Sequence, residues 1–174
     1  MKVTKPVTPS PKAVEILSAR RGPQLVYARD DAQARDVAGE PNREAERPAR
    51  LLIVEDDFLV ALAAEAALRE AGFDVIGVVE SAEAAIAQAA AQRPSLVIMD
   101  VRLSGRRDGI DAAIQLFRDH GIPCIFATAH FDPIAQARAE PAKPLGWLQK
   151  PYSMPSLVAL VRRVVEDLGG ASDR

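Results

Sequence analysis

Residues 51–57 read LLIVEDD and residues 96–100 read LVIMD, so two aliphatic runs each end in carboxylates. Further short apolar runs occupy residues 75–79, 124–127 and 147–148, with amphipathic stretches of helical period between consecutive runs. Strands that are apolar on both faces and alternate with helices are typical of a parallel sheet covered on each side. The pattern therefore predicts an α/β fold with a five-stranded parallel sheet and helices on both faces.

The composition limits the classes of protein to which the chain can belong. Its 174 residues are 48% hydrophobic and 26% charged, which is enough apolar material for a packed core. No apolar run reaches the length of a membrane span, and the N-terminus lacks the apolar region of a signal peptide. The single cysteine, Cys124, excludes internal disulfides and cysteine-based metal clusters. We therefore expect a cytoplasmic protein with no membrane partner.

The charge is distributed unevenly along the chain. Residues 1–50 carry a net charge of +3, and the remainder carries −5. We predict an N-terminal extension over residues 1–49, disordered or weakly helical, a folded domain over residues 50–169 and a tail over residues 170–174. Gly169–Gly170 are expected to end the last helix. Because the folded part is acidic, we expect no nucleic-acid partner.

Local signals also indicate three of the helices. Ser81 is a good N-cap for the alanine-rich helix after it. Residues 109–120 form a helical pattern with one apolar face. Asp132 and Pro133 are suited to begin a further helix, which Pro141 is expected to end after about two turns.

Polar side chains follow four of the five predicted strands. Glu55 and Asp56 come after the first strand, Asp100 after the third, Thr128 after the fourth and Lys150 after the fifth. Each of these residues alone has a structural explanation, such as capping a helix or lying in a solvated loop. The carboxyl ends of parallel strands meet at one edge, where ligands bind in doubly wound sheets. We therefore expect the five side chains to share one site.

The chemistry of such a site is restrictive. Two carboxylates about 4 Å apart repel each other by about 4 kcal/mol at an effective dielectric of 20, so three of them need a compensating cation. One lysine is not enough, and oxygen ligands without His or Cys select a hard divalent ion such as Mg²⁺. A carboxylate nucleophile, Mg²⁺, a lysine and a hydroxyl donor suit phosphoryl transfer.

The segments LLIVEDD, LVIMDVRL, DGIDAA, IFATA and QKPY resemble, in order and spacing, the signatures of the receiver domain of two-component response regulators. The resemblance covers about residues 50–169 and implies a flavodoxin-like (βα)5 fold. It implies that Asp100 takes a phosphoryl group from a phosphohistidine. It further implies that Asp56 binds Mg²⁺ directly, that Glu55 acts through water, and that the backbone carbonyl of Arg102 completes the ligand set.

The resemblance also assigns residues around the phosphoryl group. Thr128 and Lys150 are expected to hold its oxygens, and Pro151 stands where the family has a proline that is often cis. Trp147 occupies the switch position, which is usually Tyr, Phe or His. Either this tryptophan is too large to rotate inward behind Thr128, or it packs on the surface between helix and strand. Asp57, one residue past the usual acidic pair, is expected in the first turn of a helix.

The sequence departs from the family pattern in two places. Residues 103–109, LSGRRDG, replace the usual proline loop after the phosphoacceptor. Residues 126–131, FATAHF, resemble the FAT-containing motif of divergent stand-alone receivers that are paired with HWE-type histidine kinases, with Ala129 in place of the motif's glycine. We hypothesise that His130 and Arg102 tune the lifetime of the phosphorylated state.

The leading functional hypothesis is a stand-alone response regulator, since little sequence follows the last predicted helix. A sensor histidine kinase or a phosphotransfer protein would be its partner, and protein contacts its output, with a homodimer left open. The alternatives are a phosphorelay intermediate and a receiver-like binding module that works without phosphorylation. A metabolic enzyme fits less well, because no glycine-rich phosphate loop follows the first strand. The expected chemistry is only the domain's own phosphotransfer and autodephosphorylation.

Overall fold

The computed structural model describes residues 48–129 and 132–170. The elements in chain order are β1 Arg50–Val54, α1 Phe58–Glu70, β2 Asp74–Val79, α2 Ala82–Gln92, β3 Leu96–Asp100, α3 Gly109–His120, β4 Cys124–Thr128, α4 Pro133–Ala139, a 3-10 helix Glu140–Ala142, β5 Gly146–Gln149 and α5 Met154–Gly170. The predicted extension up to residue 47, the tail from residue 171, and His130 lie outside the described residues. Among the helices so described, none is both long and apolar enough to cross a lipid bilayer.

The five strands form one parallel sheet in the order β2-β1-β3-β4-β5. This confirms the predicted (βα)5 architecture, and each observed strand differs from the predicted apolar run by one residue at most at either end. β3 lies at the centre, between β1 and β4, so its last residue, Asp100, has neighbours on both sides. In the register of the sheet, Asp100 is paired with Ala127, one residue before Thr128.

Alternate strand residues supply two separate cores, one on each face of the sheet. The first core lies between the sheet and α2, α3 and α4, and its strand residues are Leu52, Val54, Val97, Met99, Cys124, Phe126 and Trp147. The second lies between the sheet and α1 and α5, and its strand residues include Leu51, Ile53, Leu96, Ile98, Ile125 and Leu148. Because each fully buried aliphatic side chain contributes about 1.5–3 kcal/mol, two such cores hold the strand ends in fixed positions.

The helix starts follow the capping signals. Ser81 Oγ accepts a hydrogen bond from the N–H of Ala84 at 3.3 Å, as expected of an N-cap. Asp57 is the N-cap of α1, and its Oδ1 accepts from the N–H groups of Leu59 and Val60. The expectation that Asp57 lies in the first helical turn is therefore wrong by one position, since its carboxylate satisfies the free N–H groups of that turn.

The prediction for the end of α4 is confirmed, whereas the prediction for the end of α5 is wrong. α4 ends at Ala139, and Pro141 lies in the 3-10 helix that follows, which confirms the short fourth helix. α5 includes both Gly169 and Gly170, so the helix continues through the pair that was expected to stop it. Glycine lowers helix propensity by only about 1 kcal/mol, and the helix is held by its packing at Leu157, Leu160, Val161 and Val164.

Candidate functional site

Three carboxylates meet at the carboxyl edge of the sheet. Glu55 directly follows β1, and Asp100 is the last residue of the adjacent β3. Both are buried, whereas Asp56 is exposed, and one oxygen of each carboxylate lies within 4.8 Å of the others. The structure thus brings together the three acidic residues singled out in the sequence.

Lys150 lies against the two buried members of this group. Its Nζ donates to both carboxylate oxygens of Glu55, at 2.8 and 2.6 Å, and to Oδ2 of Asp100 at 2.6 Å. One ammonium group thereby bridges two carboxylates that would otherwise repel each other in a poorly solvated place. Lys150 therefore offsets one of the three negative charges of the cluster.

Burial and charge shift the pKa values of this pair. Burial raises the pKa of Glu55, and the negative charge of Asp100 adds to the effect, so the hydrogen bonds from Lys150 only partly offset it. Burial by itself lowers the pKa of Lys150, but its hydrogen bonds to Asp100 and Glu55 outweigh burial and raise the pKa above the ordinary value. Lys150 is therefore a firmly charged ammonium in a cluster that is short of positive charge.

Backbone contacts hold Asp100 in place. Its Oδ1 accepts a hydrogen bond from the N–H of Arg102 at 3.0 Å. The N–H of Val101 donates to the carbonyl of Ala127, and the carbonyl of Val101 accepts from the N–H of Gly109. The chain on the C-terminal side of Asp100 is thus tied to β4 on one side and to the start of α3 on the other.

Thr128 and Lys150 are placed by β4 and β5. Thr128 is buried at the end of β4, and its carbonyl accepts from the N–H of Lys150 at 2.8 Å. The peptide bond between Lys150 and Pro151 is cis, as in the receiver pattern. Ala129 follows Thr128 and is exposed. The predicted threonine and lysine therefore lie at the same sheet edge as the three carboxylates.

Trp147 is inside the protein, with only 4% of its surface exposed. Its ring centroid lies 4.7 Å from that of Phe126, and it belongs to the same core as Ala139 and Ala142. The expectation of a tryptophan packed on the surface is therefore wrong. The short α4 and the small alanines beside it leave room for the indole within the first core.

Ser104 is a site residue that the sequence analysis missed. Both its N–H, at 3.1 Å, and its hydroxyl, at 2.6 Å, donate to Oδ2 of Asp56. The available signal was a hydroxyl residue within the loop that replaces the family's usual proline loop after Asp100. The pairing itself joins positions 48 residues apart, which the local sequence pattern does not reveal.

The donor set fits Mg²⁺. Within the described residues, the acidic cluster at this edge offers carboxylate oxygens from Glu55, Asp56 and Asp100 and no histidine or cysteine. Hard cations such as Mg²⁺ prefer oxygen ligands of this kind, whereas zinc and copper favour nitrogen or sulfur. Asp56 is also exposed, which leaves space for water in the coordination shell that Mg²⁺ usually retains.

Comparisons with known proteins agree with this geometry. Residues 51–162 match the family model described as "Response regulator receiver domain". The transcriptional regulatory protein PdtaR of Mycobacterium tuberculosis is 34% identical over 122 residues, which cover 70% of this chain and 59% of PdtaR. The phyllosphere-induced regulator PhyR of Methylorubrum extorquens is 29% identical over 167 residues, covering 91% of this chain and 62% of PhyR. The chain thus spans about three fifths of the length of these relatives.

Solved structures show the same likeness. The signal receiver domain of a modulated diguanylate cyclase from Desulfovibrio desulfuricans superposes with a TM-score of 0.64 at 31% identity, covering 70% of this chain and 96% of that domain. The response regulator PhyR from Brucella abortus superposes with a TM-score of 0.61 at 26% identity, covering 75% of this chain and 54% of that protein.

Proposed function

Because this chain belongs to the response regulator receiver domain family of two-component systems, we propose that Asp100 accepts a phosphoryl group from a phosphohistidine of a sensor histidine kinase or a phosphotransfer protein. The observation that carries the proposal is the placement of Asp100. It is buried at the end of the central strand, 2.6 Å from the ammonium of Lys150 and grouped with Glu55 and Asp56. A nucleophile, a fixed positive charge and a set of oxygen ligands are the parts that phosphoryl transfer requires.

In the proposed reaction, a carboxylate oxygen of Asp100 attacks phosphorus while the bond between phosphorus and the donor imidazole nitrogen breaks. The products are an aspartyl phosphate and a histidine, whose released nitrogen takes up a proton. Glu55, Asp56, Asp100 and the carbonyl of Arg102 would hold Mg²⁺, which when bound neutralises charge on the phosphoryl oxygens. Asp100 Oδ1 stays oriented by the N–H of Arg102, so the carboxylate needs little reorganisation before attack.

Lys150 and Thr128 have distinct parts in this proposal. Lys150 now bridges Glu55 and Asp100, and it would shift its hydrogen bond from Asp100 to a phosphoryl oxygen once the new bond forms. The hydroxyl of Thr128, one residue past the sheet partner of Asp100, would donate to a second oxygen. Both groups would then stabilise the negative charge of the product.

An exposed apolar patch next to the site supports a protein as the phosphoryl donor. Phe58, Leu59 and Leu62, at the start of α1, are 74%, 73% and 50% exposed. Phe58 and Leu62 are four residues apart and share one helix face, and α1 begins at Phe58, two residues after Asp56. Exposed apolar residues of this kind mark protein contact sites. The FAT-type motif over residues 126–131 supports a kinase of the HWE type as this donor.

The proposed output is also a protein contact. Residues 51–174 carry a net charge of −5, which opposes binding to the phosphate backbone of nucleic acid. The names of PdtaR and PhyR describe regulators, which agrees with a signalling role for this chain.

Phosphotransfer to the Asp100→Asn variant tests the proposal. The full chain is incubated with Mg²⁺ and an autophosphorylated HWE-type histidine kinase, and intact mass is measured. We expect the wild type to gain one phosphoryl group and Asp100→Asn to gain none. Asp74→Asn, which changes an exposed carboxylate at the opposite end of the sheet, is the matched control and is expected to behave as the wild type.

Two outcomes of this experiment contradict the proposal. Equal phosphorylation of Asp100→Asn and wild type would place the phosphoryl group elsewhere. If the wild type is not phosphorylated by this kinase or by a small-molecule phosphodonor, the alternative of a phosphorylation-independent binding module is supported instead.

A further inference from the structure

Asp56 differs from the other two carboxylates of the site in its surroundings. Glu55 and Asp100 are buried and bridged by Lys150, whereas Asp56 is exposed. Negative charges less than 5 Å apart repel each other, and the exposed member of such a group is the one with room to rotate away. A carboxylate that is to serve as a metal ligand next to two others therefore needs a contact that opposes this repulsion.

Ser104 supplies such a contact. Its N–H and its hydroxyl both donate to the same oxygen of Asp56, Oδ2, at 3.1 and 2.6 Å. Hydrogen bonds to a charged acceptor are roughly twice as strong as those between neutral groups. Because both donors converge on Oδ2, they orient the whole carboxylate and leave Oδ1 with lone pairs of its own.

The loop that carries Ser104 is itself anchored. Leu103, the preceding residue, packs against the first hydrophobic core. Gly105, the following residue, has φ of 131°, a value that non-glycine residues rarely adopt. The loop therefore turns sharply after Ser104 and presents two adjacent donors of the serine toward Asp56.

We propose that Ser104 is a positioning residue that holds Asp56 in the orientation in which it binds Mg²⁺. This inference rests on the proposed function of the acidic site and adds a residue to it. The donors fix one oxygen of Asp56 before the cation arrives, so less side-chain entropy is lost on binding. The hydroxyl acts on the cation only through Asp56.

Calorimetric titration of Mg²⁺ into the unphosphorylated full chain tests the assignment without any phosphotransfer step. We expect Ser104→Ala to weaken Mg²⁺ affinity by about tenfold. Loss of a hydrogen-bond partner of a metal ligand typically weakens metal affinity by about 10- to 100-fold, and the effect here should be at the low end because the N–H of residue 104 remains. Ser104→Thr keeps a hydroxyl at this position and is expected to restore an affinity close to that of the wild type. Ser95→Ala removes an exposed hydroxyl at the opposite edge of the sheet and is expected to have no effect.

Each other outcome counts against the assignment. Wild-type or tighter affinity in Ser104→Ala would show that the serine does not help Asp56 bind, or competes with the cation for it. Weak binding in both Ser104→Ala and Ser104→Thr would show that the hydroxyl is not the cause. Asp56→Asn separates the two proposals, since wild-type affinity in that variant would overturn the acidic metal site itself, whereas lost affinity there with an unaffected Ser104→Ala would overturn only the role of Ser104.

Discussion

Gly109 begins α3 directly against the backbone of the proposed phosphoacceptor. A Cβ at this position would overlap the carbonyl oxygen of Asp100 and lie 2.9 Å from both its carbonyl carbon and Cγ of Met99. The N–H of Gly109 also donates to the carbonyl of Val101 at 3.0 Å. The glycine of the DGIDAA segment therefore permits a close approach of two backbones, and this approach keeps the chain after Asp100 in place.

Replacing Gly109 by alanine is expected to lower the free energy of unfolding by about 2 kcal/mol or more, because the methyl group meets rigid backbone and forces α3 away from β3. Urea denaturation measures this loss. The matched control is Gly169→Ala, since a Cβ there meets nothing within 4 Å and alanine favours the helix by up to about 1 kcal/mol. Equal stability of Gly109→Ala and wild type would show that α3 shifts at no cost.

Among the secondary-structure elements, α4 is a short helix that depends on its neighbours. Its seven residues are too few for a helix to be stable in isolation. Arg138 joins it to α3 through Asp108 at 2.8 Å and Asp111 at 3.2 Å, and Asp108 is also the N-cap of α3. One guanidinium thus connects the end of the loop after Asp100 to α4.

Arg138→Ala is expected to cost less than about 1 kcal/mol of global stability, because its ion pairs are half exposed and such pairs contribute little. The larger effect of Arg138→Ala is expected within α4 itself. Amide hydrogen exchange in α4 is expected to accelerate, while exchange in the strands is unchanged. Arg118→Ala serves as the control because its partner, Asp119, is its neighbour in the same helix. Equal exchange of α4 in both variants would contradict a tie between the two helices.

At the scale of the whole molecule, the charge of the site affects the stability of the fold. The two cores hold Glu55 and Asp100 at adjacent strand ends, so the fold brings together carboxylates that the unfolded chain keeps apart. Burial and the charge of Asp100 raise the pKa of Glu55 above its ordinary value of 4.5. The folded state therefore retains a proton at Glu55 to a higher pH than the unfolded state does.

The pH dependence of stability follows from this direction. A raised folded-state pKa contributes stability that is complete below pH 4.5 and is lost as pH rises through the folded pKa of Glu55. Glu55→Gln cannot ionise, so the stability of the wild type relative to Glu55→Gln should fall as pH rises above 4.5. Urea denaturation of both proteins across this range, with a chelator present, measures the difference. If the wild type instead became more stable relative to Glu55→Gln as pH rises, the pairing of Glu55 with Lys150 would outweigh its burial.

Much of the architecture was accessible from the sequence because its causes are local. Apolar runs buried on both faces, such as residues 51–54 and 96–99, identify the strands of a parallel sheet, and each polar residue after a run lies at the same edge. Helix starts at Ser81 and Asp132 follow from capping within four residues. The predicted helix boundaries at Asp57 and at Gly169–Gly170 are wrong by one or two residues, because local sequence signals do not define helix ends more closely than that.

Sequence patterns were sufficient to predict the alternation of strands and helices along the chain, the charged residues that follow the strands, and the oxygen ligands of the acidic cluster. Three contacts became visible only in the folded protein: Lys150 bridges Glu55 and Asp100, Ser104 donates to Asp56, and Trp147 is buried against Phe126. Lys150 and Glu55 are 95 residues apart, and Ser104 and Asp56 are 48 apart. Such pairings depend on how loops and side chains pack once both cores have formed, whereas periodicity and strand-end chemistry are present in the chain before it folds.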